Sequence, residues 1–203
     1  LKGREAKMIF KRFLVLFLTV VTLLGCAGGP PIKNPQITKS NLPQKCFIEG
    51  VPAYRQTYMD CGPTSLRMVL SFYGKDFSQE EIVKVRRGRG TVISDMESFP
   101  RSVGFEAHSF YDSRKEELKF LIAQGYPLIV LGVPPPEWRR DGRYSGEGHY
   151  VVVVGYDDIK NIFIINDPAQ GKTIQIPFDV FKDFHRSHPT QSNYVLCIYP
   201  KPR

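Results

Sequence analysis

Three residues of this sequence have the types and surroundings that nucleophilic chemistry requires. Cys61 stands in Gln56-Thr57-Tyr58-Met59-Asp60-Cys61-Gly62-Pro63-Thr64. Pro63 suits a first helical turn, and Leu66, Val69, Leu70 and Tyr73 follow at helical spacing, with Gly74 as a stop. A thiol at a helix head meets unpaired N–H groups whose partial positive charge favours the thiolate. A buried structural cysteine is the alternative for this segment. His149 opens the run His149–Tyr156 (HYVVVVGY), whose β-branched residues predict a central strand. A strand end holds an imidazole as rigidly as a general base needs. Gly146 and Gly148 before it let backbone approach closely. Asp167, in Asn166-Asp167-Pro168, follows the segment Asn161–Asn166, the expected hairpin partner of that strand across a turn at Asp157-Asp158. A hairpin returns the end of its second strand to the start of its first. Asp167 therefore falls beside His149, where a carboxylate orients the ring and stabilises imidazolium. A structural histidine and a plain turn are the alternatives at these two positions.

The elements that must carry these residues divide the chain into two halves. Helix patterns dominate the first: residues 61–73, a capping box at Ser78 and Glu81 opening a helix to about Val85, a second such pattern at Ser94 and Glu97 running to Gly104 over Pro100, and residues 113–124 closed by Gly125. Strand patterns dominate the second: Tyr126–Val133, His149–Tyr156, Asn161–Asn166, Thr173–Ile176 and Asn193–Tyr199, with a short helix over Phe178–Phe184. His108 falls in a further strand segment. Helices first and antiparallel strands later predict an α+β domain over residues 46–203. The loop Pro134–Gly148, which contains Trp138, is long enough to expect a functional role, bordering a substrate cleft.

The 203 residues carry a net charge of +8, 42% apolar residues and 24% charged residues, which excludes a mainly disordered or multi-span membrane chain. Half of the positive charge comes from residues 1–25, where Lys2, Arg4, Lys7, Lys11 and Arg12 stand against Glu5. The remainder is mildly basic, and nucleic acid is not the expected partner. The apolar run Phe13–Leu24 is shorter than the roughly 20 residues of a spanning helix. A charged start, that run and the small residue Gly25 predict a signal peptide over residues 1–25, with Met8 as a candidate true start. Leu23-Leu24-Gly25-Cys26 resembles the bacterial lipoprotein signal, which implies acylation of Cys26 and an anchor on the membrane of the cell envelope. Residues 26–45, rich in Gly, Pro and polar side chains, are expected to form a flexible tether.

Gln56-x4-Cys61-Gly62-Pro63-Thr64-Ser65, then His149–Tyr156, then Asn166-Asp167-Pro168 together resemble the double-glycine-leader, bacteriocin-processing cysteine peptidases. The resemblance covers nearly all of residues 47–199 in the same order. It implies a papain-like fold and a peptide or protein substrate, with Cys61 as nucleophile, His149 as base and acid, Asp167 orienting the imidazole and Gln56 helping to form the oxyanion hole. A side-chain amide from Gln56 and the Cys61 N–H suit a tetrahedral oxyanion. Best-known members of that family are fused to an export ATPase. With its export signal and without a nucleotide-binding P-loop, this chain is expected in the stand-alone branch, as a monomer. The same residues would serve an amidase or transpeptidase acting on cell-wall peptides, and a non-catalytic peptide-binding lipoprotein is the alternative outside enzymes.

The remaining candidates are weaker. Cys46 and Cys197 flank strand-like segments near the two ends of the domain. They are a candidate disulfide outside the cytoplasm, with two buried thiols as the alternative. His185 and His188 have metal-ligand spacing but no third donor nearby in sequence, so a solvated helix end is expected and no metal or cofactor is assigned. The basic clusters Lys84–Arg89 and Arg139, Arg140 and Arg143 suit a helix C-terminus, an anionic surface or an acidic substrate.

Overall fold

The computed structural model describes residues 29–201 except 89, 137, 145 and 146. The segment 1–25 expected as a signal peptide and Cys26 lie outside the described residues. One antiparallel sheet organises the rest. Its strands are β1 (Lys45–Phe47), β2 (Phe105–Phe110), β3 (Leu128–Gly132), β4 (His149–Asp157), β5 (Ile162–Asp167), β6 (Lys172–Pro177) and β7 (Val195–Pro200). They lie in the order β2-β7-β3-β4-β5-β6, with β1 paired to β4. The α+β expectation holds, with helices from the first half packed on this sheet.

Helices cover both faces, which explains why β3 and β4 read as unbroken apolar runs rather than alternating ones. One face packs on α1 (Cys61–Phe72), α2 (Gln79–Ile82) and α3 (Ile93–Ser102). There Leu66, Met68 and Leu70 meet Ile129, Val152 and Leu196. The other face packs on α4 (Lys115–Ala123) and α5 (Phe178–Arg186), where Leu118, Ile122, Phe181 and Phe184 meet Val130, Val151 and Val195. Each buried Leu, Ile or Phe of these layers contributes about 1.5–3 kcal/mol relative to exposure.

Local signals act largely where expected. Ser78 and Glu81 form a reciprocal capping box at α2. Gly125 follows α4 with φ of 79°, which an L side chain resists. The Ser94–Glu97 pattern does not cap α3: that helix begins at Ile93 with Val92 as its N-cap, two residues before Ser94. Pro100 is accommodated inside α3.

Two expectations need correction. The segment expected as a tether is attached to the domain from residue 29. Tyr126 Oη donates to the Pro31 carbonyl at 2.6 Å, Asn34 N donates to Gln124 Oε1 at 2.8 Å, and Tyr156 Oη donates to the Pro43 carbonyl at 2.8 Å. Lys33 lies over the Tyr126 ring at 4.0 Å. Its prolines and polar residues serve to dock a chain with turns at Asn34–Ile37 and Thr38–Asn41 on tyrosine hydroxyls and a buried amide. Cys46 and Cys197 are not bridged, and both are free thiols. Cys46 pairs with Tyr156 on β4, whereas Cys197 lies between His108 of β2 and Leu128 of β3. Their strands are not neighbours, so their Cα atoms are not held at disulfide spacing.

Candidate active site

Cys61 is the first residue of α1, as the position of Pro63 implied. No acidic residue occupies the first turn, and the carboxylate of the N-cap residue Asp60 is paired with Arg86. Asp60 caps the helix through its backbone, with Thr64 N donating to Asp60 O at 2.9 Å. The preceding turn places Met59 at φ 57°, a conformation uncommon for a non-glycine residue. Arg86 holds that turn. Its Nη1 lies 3.1 Å from Asp60 Oδ1 and donates to the Tyr58 carbonyl at 3.1 Å. Thr57 Oγ1 donates to Asp60 Oδ2. Part of the Lys84–Arg89 cluster thus fixes the approach to Cys61 rather than a helix end.

His149 and Asp167 are brought together by the β4–β5 register. Asp167 lies one step beyond the Val152–Asn166 pair, so it shares a face with Val151 and, two residues on, with His149. His149 Nε2 and Asp167 Oδ1 are 2.9 Å apart. That leaves the other ring nitrogen unused by Asp167, and Cys61 lines the same cleft as the imidazole. His149 and Asp167 are buried, at 5% and 0% exposure, while Cys61 is partly open to solvent.

Opposing effects set the charges here. Burial pushes the Cys61 thiol up, but the hydrogen bond and charge of His149, with the N–H groups of Tyr150 and Gly62, bring it below the ordinary thiol value. Burial acts downward on His149, yet its bonds to Asp167 and Cys61 push it up to about 9. Asp167 feels burial upward, and the bonds from His149, Tyr144 and Ala169 hold it below the usual carboxylate range. Each partner thus favours the charged form of the next, in the direction of a thiolate–imidazolium pair backed by a carboxylate.

Gln56 is fastened by its own backbone, with Gln56 N donating to the Pro168 carbonyl at 2.9 Å, next to Asp167. Its side-chain Oε1 is buried without a hydrogen-bond partner. Gln56, Cys61 and His149 line one cleft of about 790 Å³. Its walls are residues 56–59 and 90–93 on one side, and Gly142, Arg143, Tyr144, Glu147 and Gly148 on the other. The loop 134–148 therefore borders the cleft, as its length implied. Glycine is needed at Gly62, and Gly148 is closely packed. A Cβ on Gly62 would lie 2.8 Å from Thr91 Cβ, and one on Gly148 would lie 3.2 Å from the His188 ring.

His185 and His188 do not act together. His185 is buried, its Nε2 3.0 Å from the Tyr194 carbonyl oxygen, while His188 lines the cleft. His108 stacks on Tyr199 at 5.7 Å. Tyr144 and Gln170 carry no motif, yet both touch Asp167. The i to i+2 bond from Ala169 N to Asp167 Oδ1 is an Asx turn, a signal present in the residue types.

A cysteine at a helix head and a histidine on an antiparallel sheet, joined in one cleft, define a papain-like cysteine peptidase architecture. The chain belongs to the Peptidase C39-like family, whose model matches residues 48–194. Solved structures agree on the fold. The peptidase domain of Streptococcus ComA, a bifunctional ABC transporter of a quorum-sensing pathway, is 21% identical with a TM-score of 0.57, over 74% of this chain and 99% of that one. A double-glycine-motif protease from an AMS/PCAT transporter, solved with its leader peptide, is 23% identical with a TM-score of 0.52, over 77% and 99%. Xylellain, a cysteine protease from Xylella fastidiosa, is 15% identical with a TM-score of 0.61, over 86% and 95%. No curated protein sequence matches this chain.

Proposed function

We propose that this protein hydrolyses peptide bonds through a Cys61 acyl-enzyme. The observation that carries the reading is the His149 imidazole, paired with Asp167 at 2.9 Å and sharing one cleft with the Cys61 thiol, whose pKa it lowers. The Cys61 thiolate attacks the substrate carbonyl carbon, forming a C–S bond and an oxyanion. The Cys61 N–H at the helix head and the Gln56 amide supply donors for that oxyanion. The His149 imidazolium gives its proton to the leaving amine as the C–N bond breaks. Water then attacks the thioester, His149 takes the water's proton, and the carboxylic acid leaves with the thiolate restored.

The substrate class is a peptide or protein segment threaded through the cleft. Support comes from family membership and from the double-glycine-motif protease solved with a leader peptide. Export and lipid anchoring at Cys26 on the bacterial envelope belong to the same proposal and rest on the residue pattern of 1–26. Accumulation of unprocessed precursor in Cys26→Ser tests the anchor, and normal maturation of that variant contradicts it. For the activity, peptides released by cells carrying the wild type are compared with those from Cys61→Ala cells. Cleavage products that vanish with Cys61→Ala support the reading, and identical peptide populations contradict it.

A further inference from the structure

Asp167 has more partners than orienting one imidazole requires. Its carboxylate is wholly buried and accepts four hydrogen bonds. Oδ1 receives His149 Nε2 at 2.9 Å and Ala169 N at 2.9 Å. Oδ2 receives Gln170 Nε2 at 3.0 Å and the Tyr144 hydroxyl. Gln170 Nε2 also donates to Tyr144 Oη at 2.8 Å. The donor arithmetic closes: an amide nitrogen has two hydrogens, a hydroxyl donates once and accepts, and a carboxylate accepts about four bonds. Such a carboxylate has no lone pair left for a proton and no second rotamer of equal energy.

The same tyrosine also touches the base. Its ring stands edge-on to His149, with centroids 5.1 Å apart and planes at 85°. Behind it, Trp138 packs at 6.0 Å and stacks on Phe184 at 5.5 Å. The long loop before His149 is therefore held at Trp138 by Phe184 of α5 and at Tyr144 by Asp167 of β5. Tyr144 closes the acid's second oxygen and one edge of the imidazole at once.

We propose that Tyr144, seated by Gln170, is a positioning residue that locks Asp167 in one orientation and so holds the His149 imidazolium against Cys61. The inference rests on the peptidase reading and deepens it. Without the hydroxyl, Oδ2 keeps only Gln170. The carboxylate then turns more freely, and the imidazolium is less well held. The thiolate loses stabilisation, so its formation moves to higher pH.

The test measures the iodoacetamide alkylation rate of Cys61 against pH by peptide mass spectrometry, on the whole protein, for wild type, Tyr144→Phe, Gln170→Ala, the double variant and His149→Ala. Phenylalanine keeps the ring that packs on Trp138 and His149. The other titratable groups around the cleft, Tyr58, Arg143, Glu147, Tyr150 and His188, are the same in every variant. Tyr144→Phe is expected to raise the midpoint by about one unit, so that alkylation below it slows about tenfold. Gln170→Ala shifts it the same way, and the double variant shifts it by less than the sum, because the two share one network. A merely structural tyrosine lowers stability without moving the midpoint of the folded protein. An unchanged or lowered midpoint in Tyr144→Phe overturns the proposal. His149→Ala separates the two levels. If His149→Ala raises the midpoint and Tyr144→Phe does not, only the positioning role fails. If neither does, the catalytic reading fails with it.

Discussion

Cys61 and Cys197 are the same chemical group in two regions of one molecule, and their surroundings drive them in opposite directions. Cys197 sits in the middle of β7 with both sheet faces covered, wholly buried between β2 and β3. Burial raises its thiol far above the ordinary range, with only the charge of Lys33 acting the other way. Cys61 feels burial too, but a helix head, two N–H groups and an imidazolium outweigh it. What distinguishes a reactive thiol from an inert one is therefore the supply of charge and donors, since desolvation acts on both alike. The centre of a sheet cannot provide that supply, because the ladder uses every backbone N–H. A helix head next to a strand end leaves such groups open.

The comparison can be broken or sharpened in four ways. Cys61→Ala should reduce peptide turnover by about a thousandfold or more, since Cys61 is the one thiol lining the cleft among the described residues. A product assay by mass spectrometry checks this, and residual activity within tenfold of wild type would move the nucleophile elsewhere. Gln56→Ala should lower kcat by about a hundredfold through loss of an oxyanion donor. Stopped-assay kinetics would show the drop, while iodoacetamide reactivity of Cys61 stays as in wild type.

The pH profile of kcat/KM separates the two thiols by sign. The active form needs a charged His149, whose value is raised to about 9, so activity falls about tenfold per unit above that pH. The acid limb belongs to Cys61 and lies below the ordinary thiol range, because its value is lowered. A profile that rises through pH 9 would contradict the ion pair. The smallest effect is at the inert thiol. Cys197→Ala removes one buried atom from a packed sheet and should cost about 1 kcal/mol of stability with kcat unchanged. Urea unfolding midpoints and steady-state kinetics measure the two halves of that statement.

The motifs legible in the sequence were those whose partners are set by short-range geometry. Cys61 could be placed because Pro63 and the spacing of Leu66, Val69 and Leu70 define the helix that begins there. His149 and Asp167 could be paired because a hairpin register follows from two apolar runs and one turn. Tyr144 could not be found this way, since its contact with Asp167 depends on how a long loop folds over Phe184. Gln170 lay three residues after a recognised acid, but only the loop's arrival gives its amide two acceptors. Cys46 and Cys197 misled for a related reason. Proximity to the two ends of a domain says nothing about strand order, and the sheet separates them. The segment 29–44 has the composition of a linker, yet hydroxyl and amide donors on the domain are enough to dock it. Ser94 resembled an N-cap, but the burial of Met96 and Pro100 sets the phase of α3.

The most direct test asks whether Cys61 becomes acylated. The protein would be mixed with an activated peptide ester, quenched in acid and digested, and each cysteine peptide examined for the added acyl mass. The account predicts a transient thioester on Cys61 that decays with water, is strongly reduced in His149→Ala, and does not form on Cys46 or Cys197. Acylation spread over the thiols without preference, or unchanged in His149→Ala, would contradict it.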